Sequence, residues 1–191
     1  RVLDCNGQGS WSKIIGGLDW VVEQQRDKKI ASLSLGGSYS LTLNNAVNNA
    51  YNLGTIVVVA AGNENVNACD KSPASASNAV TVASSTINDQ RSSFSNYGNC
   101  VNIFAPGSSI KSADWNTNSG SNILSGTSMA CPHVAGGLSL IWGSNKDLNK
   151  NDVINILYKS ASFDKIIDAR SSNKLLNTNF IFNDNPTLSP T

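Results

Sequence analysis

The sequence predicts an α/β fold in which a mostly parallel sheet carries helices on both faces, a three-layer arrangement. Residues 55–61 (TIVVVAA) are continuously apolar and largely β-branched, a pattern typical of parallel strands buried on both sides. Between residues 30 and 61 the chain shows strand, helix and strand patterns in turn. Such a unit is almost always a right-handed βαβ crossover, which places its helix over the sheet.

The first predicted element is a helix over residues 12–27, where apolar residues recur at helical spacing. A strand over 30–35 follows, because apolar and polar residues alternate there until a Gly-Gly pair interrupts them. The second helix has Ser40 as its N-cap, and Gly54 supplies the left-handed residue that lets it end.

Further along, two short strands are predicted at 79–83 and 101–104, and a helix over 127–142 has a continuous apolar face. A last helix, capped by Asn151, ends at residue 159. Residues 1–4 have the pattern of a strand already under way. We therefore expect the front part of the domain to be missing from this chain.

Composition bounds the function. A chain of 191 residues is long enough for one domain with its own core. Lys and Arg number 14 against 13 Asp and Glu, a formal net charge of +1, so neither nucleic acid nor an anionic membrane would be strongly attracted. No apolar run approaches the roughly 20 residues that a bilayer crossing needs. We expect a protein that binds neither nucleic acid nor membrane.

The four cysteines, at positions 5, 69, 100 and 131, favour disulfides over a metal site. The sequence contains no Cys-x-x-Cys pair, and no second ligand pair lies near the single histidine. Three complete pairings are possible, and the spacing does not choose among them. Disulfides in turn indicate an oxidising compartment.

Candidate chemistry lies where predicted parallel strands end, because ligands bind beyond the carboxyl ends of such strands. Leu35 is followed by Gly36, and Ala61 is followed by Gly62 and Asn63. Turn formation alone would also favour glycine and asparagine at these points.

Ser128 stands at the first turn of the predicted helix over 127–142. A helix start offers unpaired amides and a partial positive charge, which suit a serine nucleophile whose attack creates an oxyanion. The side-chain amide of Asn63 would serve as a second donor. The competing interpretation is a capping residue without chemistry.

Five segments in one order resemble the successive signatures of the subtilisin-like serine proteases, and most closely those of the proteinase K-like branch. The segments are 34–37 (SLGG), 60–63 (AAGN), 94–98 (FSNYG), 105–107 (APG) and 126–136 (GTSMACPHVAG). The resemblance runs from residue 1 to about residue 180. It assigns 1–182 to the C-terminal portion of a catalytic domain and leaves 183–191 as a linker-like tail.

The resemblance implies that Ser128 is the nucleophile and that Asn63 and the Ser128 backbone amide form the oxyanion hole. It also implies a specificity pocket and substrate-binding edges formed by Ser34, Leu35, Gly36, Ala60, Ala61 and Gly62. No carboxylate falls in those pocket segments, so the implied preference before the scissile bond is for aliphatic or aromatic residues.

The chain departs from the family in lacking the aspartate and histidine motifs, which lie upstream of the segment matching residues 1–4. The only histidine, His133, follows Ser128 by five residues, or about 140° around a helix, so it cannot be the base. The resemblance gives it a packed, hydrogen-bonded structural role. We expect a serine endopeptidase that is inactive as this chain alone; a pseudoenzyme or peptide-binding module that kept the groove is the alternative.

An α/β-hydrolase is disfavoured, because residues 126–130 lack the last glycine of Gly-x-Ser-x-Gly and no histidine follows in a suitable place. The family resemblance pairs Cys69 with Cys100 and leaves Cys5 as a free thiol. We expect Cys131 to be buried and inert. No cofactor is required, and calcium binding is weakened because Asn102 stands where the family has an aspartate.

The implied partners are polypeptide substrates, together with a propeptide or a protein inhibitor. The expected protein is a secreted, extracellular monomer.

Overall fold

A computed structural model describes residues 1–179, so the predicted tail at 183–191 lies outside the described part. The helices are α1 (Trp11–Glu23), α2 (Leu41–Asn52), α3 (Thr127–Ser144) and α4 (Lys150–Ser160). The strands are β1 (Lys29–Leu33), β2 (Gly37–Ser38), β3 (Thr55–Ala60), β4 (Lys71–Ser72), β5 (Val80–Ser85), β6 (Ile103–Pro106), β7 (Ile110–Ala113), β8 (Ser121–Leu124), β9 (Ser162–Phe163) and β10 (Lys174–Leu175).

The main sheet has six strands in the order β1-β3-β5-β6-β10-β9. All neighbouring pairs are parallel except β10 and β9. Strand β3 is buried along its whole length. Val57 and Val59 pack towards α1 and α2, whereas Ile56 and Val58 pack towards α3 and α4. The predicted α/β fold, with helices on both faces of a mostly parallel sheet, is confirmed.

The predicted ends of α2 are confirmed by their capping geometry. Ser40 accepts a hydrogen bond from the Leu43 amide, and Gly54 has a positive φ of 96°. Helix α1 is shorter than predicted, because Ser10 caps it and the backbone turns extended at Gln24. Residues 24–27 are all polar or charged. A further helical turn there would bury no apolar side chain and so would gain no stability from packing.

Two sequence predictions are wrong. Residues 1–4 form no strand, because the Asp4 carboxylate accepts the amides of Asn6 and Gln8 and closes a local loop. The cap of α4 is Asn149 rather than Asn151: its side chain and that of Asp152 form a reciprocal capping box.

The sequence also failed to reveal several short strands. β7 and β8 form an antiparallel hairpin, yet every residue of β8 is exposed, so no alternation of apolar and polar residues marks it. β2, β4, β9 and β10 are two residues long. Pairing with a partner strand, rather than local sequence, creates elements of this kind.

The disulfide between Cys69 and Cys100 is confirmed, with Cα atoms 5.3 Å apart. It closes a loop of 31 residues, which stabilises the fold by about 3 to 4 kcal/mol in the loop-entropy treatment. Cys5 is free and exposed, and Cys131 is free and buried. Burial raises the pKa of the Cys131 thiol, which keeps it protonated and unreactive at neutral pH.

We predict that iodoacetamide at pH 8 labels the native, oxidised chain once, at Cys5. Cys131 should react only after denaturation, because its raised pKa and its burial both suppress the thiolate. Peptide mass spectrometry measures both sites, and the Cys5→Ser variant is the control that should take up almost no label. Rapid labelling of Cys131 in the native chain would contradict this expectation.

Candidate active site

A pocket of about 90 Å³ opens where the carboxyl ends of β1 and β3 meet the start of α3. Of the residues predicted for the site, all except Ser34 line this pocket. The lining residues are Leu35, Gly36, Gly37, Ala60, Ala61, Gly62, Asn63, Glu64, Lys71, Ser72, Ala74, Thr127 and Ser128. The fold therefore brings together segments that are more than 60 residues apart in the chain.

Ser128 is the second residue of α3 and is half-buried. Its Oγ donates to the Ser34 carbonyl at 3.4 Å, and Ser34 Oγ donates to the Ser128 carbonyl at 2.8 Å. Ser34 thus lies against the serine rather than in the pocket wall. These two hydrogen bonds tie the chain leaving β1 to the first turn of α3.

Asn63 holds the first turn of α3 through its side-chain oxygen. Oδ1 accepts from the backbone amide of Thr127 at 2.8 Å and from Thr127 Oγ1 at 2.9 Å. The N-cap residue of α3 is Gly126, which has no side chain to do this. Asn63 therefore acts as a cap from a distant part of the chain, and its Nδ2 is turned away from Thr127.

Two N–H groups converge beside Gly126. A methyl group built on Gly126 would lie 3.6 Å from the Ser128 backbone nitrogen and 3.7 Å from Asn63 Nδ2. Within residues 1–179, neither nitrogen donates a hydrogen bond. Two nitrogen donors without a hydrogen-bond partner among the described residues thus lie at similar distances from one point near Ser128, an arrangement that an oxyanion hole would require.

Thr127 is a residue whose importance the sequence did not reveal. It is fully buried, and its hydroxyl donates to Asn63 while accepting from the Gly62 amide at 3.2 Å. Thr127 thereby links Gly62 and Asn63, two residues of the loop after β3. Its place beside Ser128 in the 126–136 motif was visible, but its partners lie 64 and 65 residues away.

Glu64 and Lys71 also line the pocket, although no charged residue was predicted there. Glu64 Oε2 accepts from Asn96 Nδ2 at 2.8 Å, and Glu64 Oε1 lies 4.0 Å from Lys71 Nζ. The segments 34–36 and 60–62 contain no carboxylate, as the sequence showed. Glu64, two residues after the second segment, places a carboxylate in the pocket lining. The pocket wall thus holds a carboxylate that hydrogen-bonds to Asn96 and lies within ion-pair distance of Lys71.

His133 does not contact the hydroxyl of Ser128. Its Nδ1 donates to the Met129 carbonyl at 2.8 Å, whereas Ser128 Oγ donates to Ser34. The two residues share only a shallow groove of about 360 Å³. The predicted hydrogen bond of His133 is present, but the predicted packing is wrong, because the ring is exposed among the described residues.

The residues near Asn102 do not fit a strong calcium site. Asn102 Oδ1 already accepts from the Thr81 amide at 2.7 Å. Within residues 1–179, no cluster of three or more His, Cys, Asp or Glu side chains could hold a metal ion. Calcium sites combine carbonyl oxygens with carboxylates, and residue 102 contributes an amide in place of a carboxylate.

Comparisons with known proteins identify the class to which this fold and site belong. The subtilase family model matches residues 1–182. The chain is 47% identical to alkaline serine exoprotease A of Vibrio alginolyticus over 177 residues, covering 92% of the chain and 33% of that protein. It is 53% identical to the extracellular serine proteinase of Thermus sp. strain Rt41A over 140 residues, covering 73% and 34% respectively.

A crystal structure of a cold adapted subtilisin-like serine proteinase superimposes on the chain with a TM-score of 0.89 at 46% identity. That match covers 93% of this chain and 65% of the solved one. The chain belongs to the subtilase family of serine proteases. It spans about a third of the length of the curated relatives given above.

We predict that Thr127→Val lowers the free energy of unfolding by about 1 to 3 kcal/mol, because it leaves the Gly62 amide without its acceptor and removes one of the two hydrogen bonds to Asn63 Oδ1. Thr127→Ser is the matched control: it keeps the hydroxyl and should cost only about 1 kcal/mol for the lost methyl group. Urea denaturation monitored by circular dichroism compares the two. A valine variant as stable as the serine variant would contradict the role of the hydroxyl.

Proposed function

We propose that this chain provides the nucleophile, the oxyanion hole and the specificity pocket of a subtilisin-type serine endopeptidase. The observation that carries the proposal is the orientation of Asn63. Its Oδ1 is occupied by Thr127, and its Nδ2 and the Ser128 backbone nitrogen lie 3.7 and 3.6 Å from one point beside Gly126. A cap without chemistry would need only the first of these features.

In the proposed reaction, an extended polypeptide lies between the edges formed by 34–36 and 60–62, with the scissile carbonyl beside Gly126. Ser128 Oγ bonds to the carbonyl carbon while its proton passes to a base. The carbonyl oxygen becomes an oxyanion that accepts from the Ser128 amide and Asn63 Nδ2. The leaving amine then departs with a proton, and water hydrolyses the acyl-enzyme. Loss of one such donor costs about 3 to 4 kcal/mol in the transition state.

Among residues 1–179, no proton acceptor contacts the Ser128 hydroxyl. Ser128 Oγ donates to a backbone carbonyl, which cannot take up a proton at neutral pH, and His133 is bonded elsewhere. We infer that the aspartate and histidine come from polypeptide outside these 191 residues.

The edge of the sheet offers a place for such polypeptide. Among the described residues, β1 pairs only with β3, and the chain leaving β1 contacts Ser128 through Ser34. A strand added parallel to β1 along its other side would therefore end close to Ser128. Without that addition, turnover is expected to fall on the order of a millionfold, as when subtilisin loses its triad.

The pocket supports a preference for aliphatic or aromatic residues before the scissile bond. Its lining includes Leu35, Ala60 and Ala74, and Glu64, the one carboxylate that lines it among residues 1–179, already contacts Asn96 and Lys71. We propose a secreted location, since two relatives are named an exoprotease and an extracellular proteinase. Within residues 1–179, no helix has the length and apolar character to cross a membrane.

A peptide-binding module is the second candidate. The observation that favours it is the contact of Ser128 Oγ with the Ser34 carbonyl, which gives the hydroxyl a structural partner in place of a base. This candidate requires the groove but not the oxyanion hole. The two proposals therefore differ in the role of Asn63: it is a hydrogen-bond donor to the oxyanion in a protease and only a cap of α3 in a binding module.

A peptide boronic acid distinguishes the two candidates, because a tetrahedral boron that forms at neutral pH and is lost in Ser128→Ala requires a bond to Ser128 Oγ, with the hydroxyl proton released to solvent. We expect the chain to form this adduct, detected by ¹¹B NMR. Ser128→Ala should abolish it, and Asn63→Leu should weaken it about 100-fold through the lost donor. Unchanged affinity of both variants for the boronic acid would support simple peptide binding and contradict the protease proposal.

We also expect that a fluorophosphonate does not label Ser128 of this chain on its own, because no base activates the hydroxyl. Intact mass spectrometry after hours of incubation measures the adduct, and an active subtilisin serves as the positive control. Rapid stoichiometric labelling of the isolated chain would show that a proton acceptor is present after all.

A further inference from the structure

Asn96 belongs to the 94–98 motif, to which the proposed reaction assigns no role, yet it is fully buried beside the site. Its side-chain amide makes four hydrogen bonds, and all four go to the segment Ala61–Val66, which we call the pocket loop. Oδ1 accepts from the amides of Glu64 and Val66, at 3.1 and 3.0 Å. Nδ2 donates to the Ala61 carbonyl and to the Glu64 carboxylate, both at 2.8 Å.

The chemistry of these partners fixes which end of the amide is which. Backbone amides can only donate, so Oδ1 must face Glu64 N and Val66 N. A carbonyl and a carboxylate can only accept, so Nδ2 must face Ala61 and Glu64 Oε2. Asp at position 96 would have the same shape but would turn two attractive contacts into repulsive ones.

Asn96 also shapes the backbone on either side of Asn63. Its amide donates to the Gly62 carbonyl at 3.0 Å, and Gly62 has a positive φ of 104°. A Cβ atom built on Gly62 would overlap Asn96 Nδ2. Gly62 and Glu64 are thus both held by Asn96, whereas Asn63, between them, is exposed and held only by Thr127.

We propose that Asn96 is a positioning residue for Asn63: it sets the conformation of the pocket loop so that Asn63 Nδ2 faces the oxyanion site. This inference rests on the proposed function, because it gives Asn63 Nδ2 the part of a donor. Asn96 makes no contact with the reacting atoms and acts through the loop. Displacement of a catalytic group by about 1 Å can cost roughly 100-fold in rate, so such support has a large effect.

The test compares Asn96→Asp with Asn173→Asp in the 191-residue chain. Asn173 is the matched control, because both ends of its amide bond to Ile166 at 2.9 Å and it does not line the pocket. Chains labelled with ¹⁵N-asparagine report the Asn63 side-chain amide, assigned through its loss in Asn63→Leu. Dissociation constants are measured for a peptide boronic acid and for the matching peptide amide.

We expect Asn96→Asp to shift the Asn63 amide signal in the free chain and to weaken boronic acid binding about tenfold more than peptide amide binding. A purely structural role would weaken both ligands equally. Asn173→Asp should lower the melting temperature while leaving the Asn63 signal and the ratio of the two affinities unchanged. A folded Asn96→Asp variant with the wild-type signal and ratio would overturn the proposal.

A second variant covers the case in which Asn96→Asp does not fold. Adding Glu64→Gln supplies an Nε2 donor to the new carboxylate, so the double variant should recover folding and much of the Asn63 signal position. Glu64→Gln alone provides the reference for its own effect on the pocket. Unfolding of both variants would make Asn96 a residue of global stability and would likewise overturn the positioning role.

Failure of the proposed function gives a different result. In that case the wild-type chain forms no tetrahedral boron adduct, whatever residue stands at position 96. The Asn63 signal of the free chain still reports whether Asn96 controls the pocket loop, because that measurement needs no ligand.

Discussion

One side-chain oxygen organises the site. Asn63 Oδ1 takes the first free amide of α3 and the hydroxyl of Thr127, a task that the N-cap residue Gly126 cannot perform. A cap within the same segment would leave the loop after β3 independent of the helix. Capping from a distant segment instead fastens the two together, and it leaves the opposite end of the amide directed away from its anchor. The same contact that completes the helix therefore creates a free donor beside Ser128.

The sheet supplies the rigid frame for this contact. β1 and β3 are parallel and in register, so both end at the same edge, and α3 packs against the sheet through residues such as Val134 and Leu138, which are fully buried. Burial of that kind holds the start of the helix in place, since a well-packed core resists small displacements. The loops at the strand ends can then be short and rich in small residues without losing definition.

Most polar side chains around the pocket have hydrogen-bond or charged partners. The Glu64 carboxylate meets Lys71 and Asn96, and the Asn96 amide uses its full hydrogen-bonding capacity on the pocket loop. A buried amide with all its hydrogen bonds made, such as that of Asn96, specifies one geometry, whereas a partly satisfied one would be costly. The serine hydroxyl is the exception: among residues 1–179 it hydrogen-bonds only to a carbonyl, which orients it but cannot accept its proton.

Local sequence determined the elements whose signals are complete within a few residues: the buried run of β3, the caps Ser40 and Gly54, and the glycine-rich strand ends that mark the pocket. Motif order was sufficient for the subtilase family and for Ser128 and Asn63 as candidates. Only the tertiary structure decided that Thr127 orients Asn63, that Glu64 and Lys71 enter the pocket, and that Asn96 supports its loop. Each of these depends on hydrogen bonds or ion pairs between side chains and distant segments, and such contacts leave no periodic pattern in the chain.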